Sequence, residues 1–331
     1  MQSRIATKVC YDSVSMLELH RKILGDKGRN DAFYTALQQS IVPGTSIVCD
    51  IGSGTGFLSF LASRLGAKEC HLFEQSEDML LCQKLAQINE IENLTFHHEH
   101  SAESDKKIQA DILVSETLGN YALEENIIES VEDAKRFLKK DAIIIPGAIE
   151  QFVCPVISKE LYESVNVWDT IGYDLDFSAA KTVSLQNMYV RTIKPDQLLQ
   201  QDASSQLWDT IDFSKTNESV RQATLSWTIK KPEIIYGFAL WWNALLIKGV
   251  ELSTSPFAVP THWEQIFLPL LEPVELSAGD KLELTLVSDT SPDVKVNLEW
   301  DVTQWSADGR PLTHQHLDMQ QGFIAMHDDP A

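Results

Sequence analysis

Two glutamates, Glu116 and Glu125, lie nine residues apart in the stretch SETLGNYALEE, after the apolar run Asp111–Ser115. That run reads as a strand, which delivers Glu116 to its carboxyl end, where open α/β sheets place ligands. The Gly119-Asn120 pair marks a turn, and Glu124-Glu125 is expected to open the helix that follows through Ile128, Val131 and Ala134. A loop pinned at both ends brings the two carboxylates face to face. Held that close they repel, and one pKa rises unless a cation lies between them. A guanidinium suits such a pair, because it is planar, permanently charged and able to bond each carboxylate bidentately. On spacing alone a plainer reading stands beside this one, with Glu116 ending a strand and Glu125 stabilised by a helix dipole.

A second stretch with chemical content is Val48–Leu58, VCDIGSGTGFL. It reads as a strand ending at Asp50, a tight loop with Gly52, Gly54 and Gly56, and an amphipathic helix over Phe57–Leu65, which is the setting a Gly-rich cofactor loop requires. Glycines there take positive φ and let the backbone approach a ligand closely. Eighteen residues beyond Gly56, the strand His71–Phe73 ends in Glu74, placed to accept both hydroxyl hydrogens of a ribose. The G-x-G-x-G spacing departs from the dinucleotide fingerprint and fits S-adenosylmethionine, which has no pyrophosphate. An ordinary βα turn with a solvated Glu74 is the alternative.

The elements that must carry these groups follow from the pattern of apolar runs. Met16–Ile41 has helical periodicity broken at Asp26–Arg29, so two helices with a bend are expected over residues 1–45. Ile47–Cys49, Cys70–Phe73, Leu94–His97, Ile112–Ser115 and Ala142–Ile145 alternate with helical segments. That alternation predicts a doubly wound, Rossmann-like parallel α/β sheet over 46–146. After Pro146-Gly147 the runs Ile149–Val156, Ala223–Ile229, Ile235–Leu246, Leu282–Val287 and Val294–Trp300 read as antiparallel strands of a β-domain over 147–331. Residues 159–199, mixed in polarity, read as an inserted helical arm.

Composition excludes several classes. A length of 331 residues is expected to divide into two domains. A formal charge of −21 opposes binding to a nucleic-acid backbone and favours a basic partner or simple solubility. The N-terminal sequence lacks a secretory core. The apolar stretch Ile234–Val250 is interrupted by Asn243 and Lys248, so no membrane span is expected. Five cysteines with no C-x-x-C pair read as reduced, buried thiols of a cytoplasmic protein. His97, His98 and His100 crowd one strand end and are read as its solvated terminus, with no metal site expected. Trp241-Trp242 reads as barrel core.

Taken together, the chain resembles the protein arginine methyltransferase family over nearly its whole length. Three blocks carry the resemblance: Tyr11-Asp12-Ser13 with the helices through Arg29, the Gly loop through the paired glutamates, and Ser253–Pro256 followed by Thr261-His262-Trp263. The resemblance implies a β-barrel for the second domain and makes Glu116 and Glu125 the clamp of a substrate guanidinium. It sets His262 facing the site, paired with Asp26 and able to take the released proton, with Tyr11 and Trp263 toward substrate. It places Arg29 on the cofactor carboxylate, His20 by its ribose and Glu103 by its adenine. The arm would dock on a second copy in a homodimer, and the substrate would be a basic, arginine-containing protein or peptide. Val14, Asn120 and Ile23 depart from residues common in the family and bear on product type and substrate preference. Two other readings remain open from sequence: methylation of a small guanidino compound, and a weakly catalytic scaffold that binds partners through its acidic surface.

Overall fold

A computed structural model describes residues 18–322. Residues 18–25 are helical, Asp26 interrupts, and a second helix runs Lys27–Ser40. The break is sharper than the four-residue bend read from sequence, because Asp26 is itself the N-cap: its carboxylate accepts the Arg29 amide at 2.9 Å. Tyr11 and Val14 lie outside the described residues.

Strands β1 (Ile47–Ile51), β2 (Glu69–Phe73), β3 (Leu94–His97), β4 (Ala110–Ser115) and β5 (Leu138–Ile145) form a parallel sheet. Its order is β3-β2-β1-β4-β5. The order reverses between β1 and β4, whose adjacent carboxyl ends open the crevice where such sheets bind ligands. Gly52 and Glu116 emerge there side by side, one residue beyond each strand. Connecting helices Phe57–Arg64, Asp78–Ile88 and Ile127–Ala134 cover the sheet. The last begins at Ile127, after Asn126 in a left-handed conformation. Glu125 therefore sits in the turn before the helix rather than in its first turn, and the helix-acid alternative does not describe it.

Beyond the cis Ile145-Pro146 bond every strand pairing among the described residues is antiparallel. These strands are β6 (Ala148–Val156), β7 (Tyr189–Arg191), β8 (Gln206–Asp212), β9 (Val220–Thr228), β10 (Glu233–Ile247), β11 (Val250–Ser253), β12 (Gln265–Leu276), β13 (Lys281–Asp289), β14 (Asn297–Trp305) and β15 (Pro311–Asp318). One sheet runs β7-β12-β10-β6-β8, with β11 beside β10, and the other β15-β14-β13-β9. β8 lies against β9 and β12 against β15, so the sheets meet along both margins as a barrel. Strand β12 escapes a sequence reading because Pro269 and Pro273 interrupt it, and proline normally argues against an interior strand. β8 and β15 are edge strands with mostly polar faces. β14 begins three residues later than the apolar run at Val294, because Lys295 takes a positive φ in the turn that precedes it.

Residues 159–199 hold the helices Lys159–Glu163 and Ser178–Leu185, but also strand β7, which pairs with Gln265–Phe267 of the barrel. Leu161, Tyr162 and Leu185 bury their side chains with Tyr236, Trp241 and Phe267, so the arm is rooted on the outer face of the barrel. Cys49, Cys70, Cys82 and Cys154 are buried free thiols.

One continuous apolar core runs from Phe33 and Leu37 through the parallel sheet into Trp242 and Trp300 of the barrel. The junction also carries a buried polar contact, the Tyr121 hydroxyl donating to Ser288 Oγ at 2.7 Å. Tyr121 is fully packed, and burial pushes its phenol pKa up. Because Ser288 is wholly buried, Tyr121→Phe leaves its hydroxyl without that partner. The expected cost is about 1–3 kcal/mol of stability, read as a lower urea midpoint with an unchanged slope; an unchanged midpoint would show the contact to be dispensable.

Candidate active site

The crevice between β1 and β4 holds a cavity of about 200 Å³ lined by His20, Ile23, Arg29, Asp50, Gly52, Ser53, Gly54, Glu74, Glu116 and Glu125, among others. A second lobe of about 210 Å³ shares Gly52, Glu74, Thr117 and Glu125 and extends to Glu99, His100 and Ser101. Eight of the candidate cofactor and clamp residues named from sequence thus converge on one cavity, and Glu74 stands where its lobes meet.

Local chemistry explains the shape. Gly52, Gly54 and Gly56 all take positive φ, as the tight loop demands. A Cβ on Gly54 would lie 2.8 Å from the His20 ring, so this wall is backbone alone. Glu74 accepts the Gly54 amide at 3.0 Å and the Ser76 amide at 2.7 Å, one on each carboxylate oxygen. Both oxygens keep a lone pair free for a hydroxyl donor. Asp50 is fully buried with Ser59 Oγ at 2.7 Å. Burial outweighs that bond and pushes its pKa up to about 7. His20 is held by Asp78 at 3.0 Å. Gly56 does not line the cavity; it starts the helix Phe57–Arg64 behind it.

Arg29 is buried and gives its Nε to Glu116 Oε2 at 3.0 Å, with Nη2 on the same oxygen. Its Nη1 donates to Asn30 at 3.0 Å. A guanidinium carries five N–H donors, so two remain to face the cavity. Glu116 is therefore neutralised on one oxygen by a buried ion pair, whereas Glu125 makes no hydrogen bond or ion pair among the described residues. Glu125 reaches solvent through the cavity mouth. Even so, desolvation by the protein around it, then the charges of Glu116 and Glu124, push its carboxyl up to about 7.

The loop between the two glutamates is fastened to the barrel. Trp263 Nε1 donates to the Leu118 carbonyl at 2.7 Å, and Trp242 Nε1 to that of Gly119 at 3.0 Å. The Glu264 amide donates to Asn120 Oδ1 at 2.9 Å. The indoles pack edge to face, 5.0 Å between centroids. Trp263, expected against the substrate, is buried and lines neither lobe; it braces the loop instead.

Three further expectations need similar correction. Glu103 is exposed and lines neither lobe, because Arg136 binds the carbonyls of Ser101 and Ser104 and turns the short helix Ser101–Glu103 outward. His262 does pair with Asp26, its Nδ1 at 2.9 Å and its amide at 2.8 Å. Burial opposes charge on Asp26, but the Arg29 amide and His262 outweigh it and hold its pKa low. Both residues, however, open on a neighbouring groove with Lys22 and Thr261, not on the cavity. His97, read with His98 and His100 as a solvated strand end, is instead buried, stacks on Phe73 and meets His71, while His100 accepts the Ala102 amide.

Sequence reasoning missed Asp78 and Ser53, and it named Asn120 and Trp242 without the contacts by which they hold the loop. For Trp242 a signal existed, since a buried indole N–H usually finds a partner.

The residues present fit S-adenosylmethionine. Ser53 Oγ is buried with no hydrogen-bonding partner among the described residues and borders the cavity. Arg29 supplies a cation for a carboxylate, Asp50 an anion for an ammonium, and Glu74 acceptors for ribose. Fold and cavity together define an S-adenosylmethionine-dependent methyltransferase.

Comparison with known proteins specifies the kind. Residues 150–306 match the arginine methyltransferase oligomerization subdomain, and residues 44–204 match a methyltransferase domain. The chain is 30% identical over 336 residues to protein arginine N-methyltransferase 2 of Xenopus tropicalis, covering 95% of this chain and 76% of that one. It is 28% identical over 302 residues to protein arginine N-methyltransferase 6 of the same species, covering 86% and 87%. In fold it is similar to the Trypanosoma brucei PRMT1 enzyme-prozyme heterotetrameric complex with AdoHcy, with a TM-score of 0.78 at 20% identity over 91% of this chain and 98% of that one. The chain belongs to the protein arginine methyltransferase family.

The Glu125 carboxyl gives a stability test. Unfolded, a glutamate titrates near about 4.3; folded, this one titrates at about 7. The folded state thus binds the extra proton between those values, and stability falls as pH rises through 7. Glu125→Gln removes that dependence, so it should raise the melting temperature at pH 8 and have little effect at pH 4. A variant that is less stable at both pH values would contradict the assignment.

Proposed function

We propose that Glu116 and Glu125 clamp the guanidinium of a peptidyl arginine beside the cofactor, and that this is how the enzyme methylates protein substrates. The observation that carries the reading is Glu125: a carboxylate with no partner among the described residues, bordering both lobes, its pKa raised by desolvation and then by neighbouring acids. A guanidinium entering there relieves the repulsion and draws the carboxyl back to its charged form.

Arginine is a poor nucleophile, since its lone pairs are delocalised and its pKa exceeds about 12. Carboxylates on one side of the guanidinium localise its positive charge there and leave the opposite nitrogen richer in electron density. Arg29 would hold the cofactor's amino-acid end with Asp50, and Glu74 and His20 its ribose. When bound, S-adenosylmethionine supplies a methyl group on a sulfonium, an electrophile ready for in-line displacement. Proximity and orientation of this kind supply roughly 7–11 kcal/mol. The substituted nitrogen must then release a proton. Glu125 borders the cavity, so its carboxylate is placed to take that proton, whereas His262 and Asp26 open on the neighbouring groove and tie the N-terminal helix to the barrel.

Oligomerisation fits the same reading. Val167, Tyr173 and Leu175 stand exposed on the arm, Tyr173 at 90%. Leu24, Phe57, Phe60, Leu61 and Ile91 line an apolar groove on the α/β sheet's helical layer, and a homodimer in which each arm fills its partner's groove would cover both. No helix among the described residues is long and apolar enough to cross a membrane. Free buried thiols support a reducing, cytoplasmic setting. The charge of −21 favours basic, arginine-containing substrates.

The test is labelled methyl transfer to an arginine- and glycine-rich peptide, beside the same peptide with lysine for arginine. Label should appear on the arginine peptide alone. Glu125→Gln should lower turnover by at least about 100-fold while calorimetric affinity for the cofactor stays within two-fold. Equal label on the lysine peptide, or full turnover by the variant, would refute the clamp.

A further inference from the structure

Beside the two clamp glutamates lies a third carboxylate, Glu124, that the mechanism does not use. Its side chain does not enter the cavity but folds back across the loop, where Oε1 accepts the Asn120 amide at 2.9 Å. It crosses so close to Gly119 that a Cβ on that residue would overlap its Cγ and carboxyl carbon. Asn120 in turn receives the Glu264 amide of the barrel on Oδ1 at 2.9 Å. A line of bonds therefore runs from the barrel through Asn120 to the residue next to Glu125. Burial raises the Glu124 pKa, while the Asn120 and Tyr121 amides pull it down.

We propose that Glu124 is a positioning residue for substrate binding: its carboxylate closes the loop on itself between Glu116 and Glu125 and so fixes the spacing of the clamp. Glu116 is anchored independently, by β4 and by Arg29. Among the described residues Glu125 has no such anchor, since it lies in a turn and is followed by Asn126 in a left-handed conformation. The Glu124–Asn120 bond is the side-chain contact that ties this end of the loop to its middle. Gly119 is required on the same account, for only a residue without Cβ lets the Glu124 side chain cross. This inference rests on the clamp reading of Glu116 and Glu125.

The experiment compares Glu124→Ala, Glu124→Gln and Glu125→Gln with wild type, measuring kcat and KM for an arginine peptide, calorimetric affinity for S-adenosylmethionine, and melting temperature. Glu124→Ala should raise the peptide KM about ten-fold, with cofactor affinity within two-fold of wild type. Glu124→Gln keeps an oxygen that can accept the Asn120 amide and should restore KM to within about three-fold. An unchanged KM in Glu124→Ala, or a Gln variant as impaired as Ala, overturns the proposal. So does a parallel loss of cofactor affinity and melting temperature, which would mark a general structural role. If Glu125→Gln keeps full turnover, the clamp reading fails and this inference with it; if Glu125→Gln is inactive while Glu124→Ala behaves as wild type, only the positioning role fails.

Discussion

The active site depends on a chain loop being held by groups far from it in sequence. Two indole N–H groups, from Trp242 and Trp263, donate to consecutive backbone carbonyls, Gly119 and Leu118. Both rings are buried and pack on one another. Each such bond is worth only about 0.5–1.5 kcal/mol net, but an orphaned buried carbonyl costs more. The loop consequently has one well-satisfied path between β4 and the next helix. Glu116 and Glu125 stand at the ends of that path, so barrel packing sets a distance that the parallel sheet alone would leave free.

The second organising feature is unequal treatment of two like charges. Glu116 shares an oxygen with buried Arg29, while Glu125 faces the cavity with acids for neighbours. Glu125 opens to solvent at the cavity mouth, so its charge stays accessible to a cation, whereas the Glu116 carboxylate is already committed to Arg29. Arg29 joins the two halves of the cavity, because the same guanidinium lines it and pairs with Glu116. Asp26, which caps the Arg29 helix and holds His262, carries the barrel's influence to that arginine.

What was legible in sequence had local causes. Gly52 and Gly54 announce a loop needing positive φ, Glu74 and Glu116 follow directly on apolar strands, and the alternation of runs up to Ile145 gives the parallel sheet. What was hidden depended on contacts across the chain. Trp242 meets a carbonyl 123 residues away, and His20 meets Asp78 across 58. Glu103 was placed by resemblance alone, and Arg136 holds its short helix turned outward. Glu125 was assigned to a helix because its neighbours favour one, and the left-handed Asn126 delays the start to Ile127. Strand β12 was masked by Pro269 and Pro273, whose cost in backbone pairing is absorbed by an irregular register against β10.

The most direct test of a barrel-held clamp is the specificity constant of Trp242→Phe for an arginine peptide, taken with cofactor affinity on the same sample. Phenylalanine keeps most of the packing and removes the bond to Gly119. The account predicts a fall in kcat/KM of about 10- to 100-fold, as expected when a reacting group is misplaced by a fraction of an ångström, with S-adenosylmethionine binding unchanged. Wild-type kcat/KM in the folded variant would contradict it.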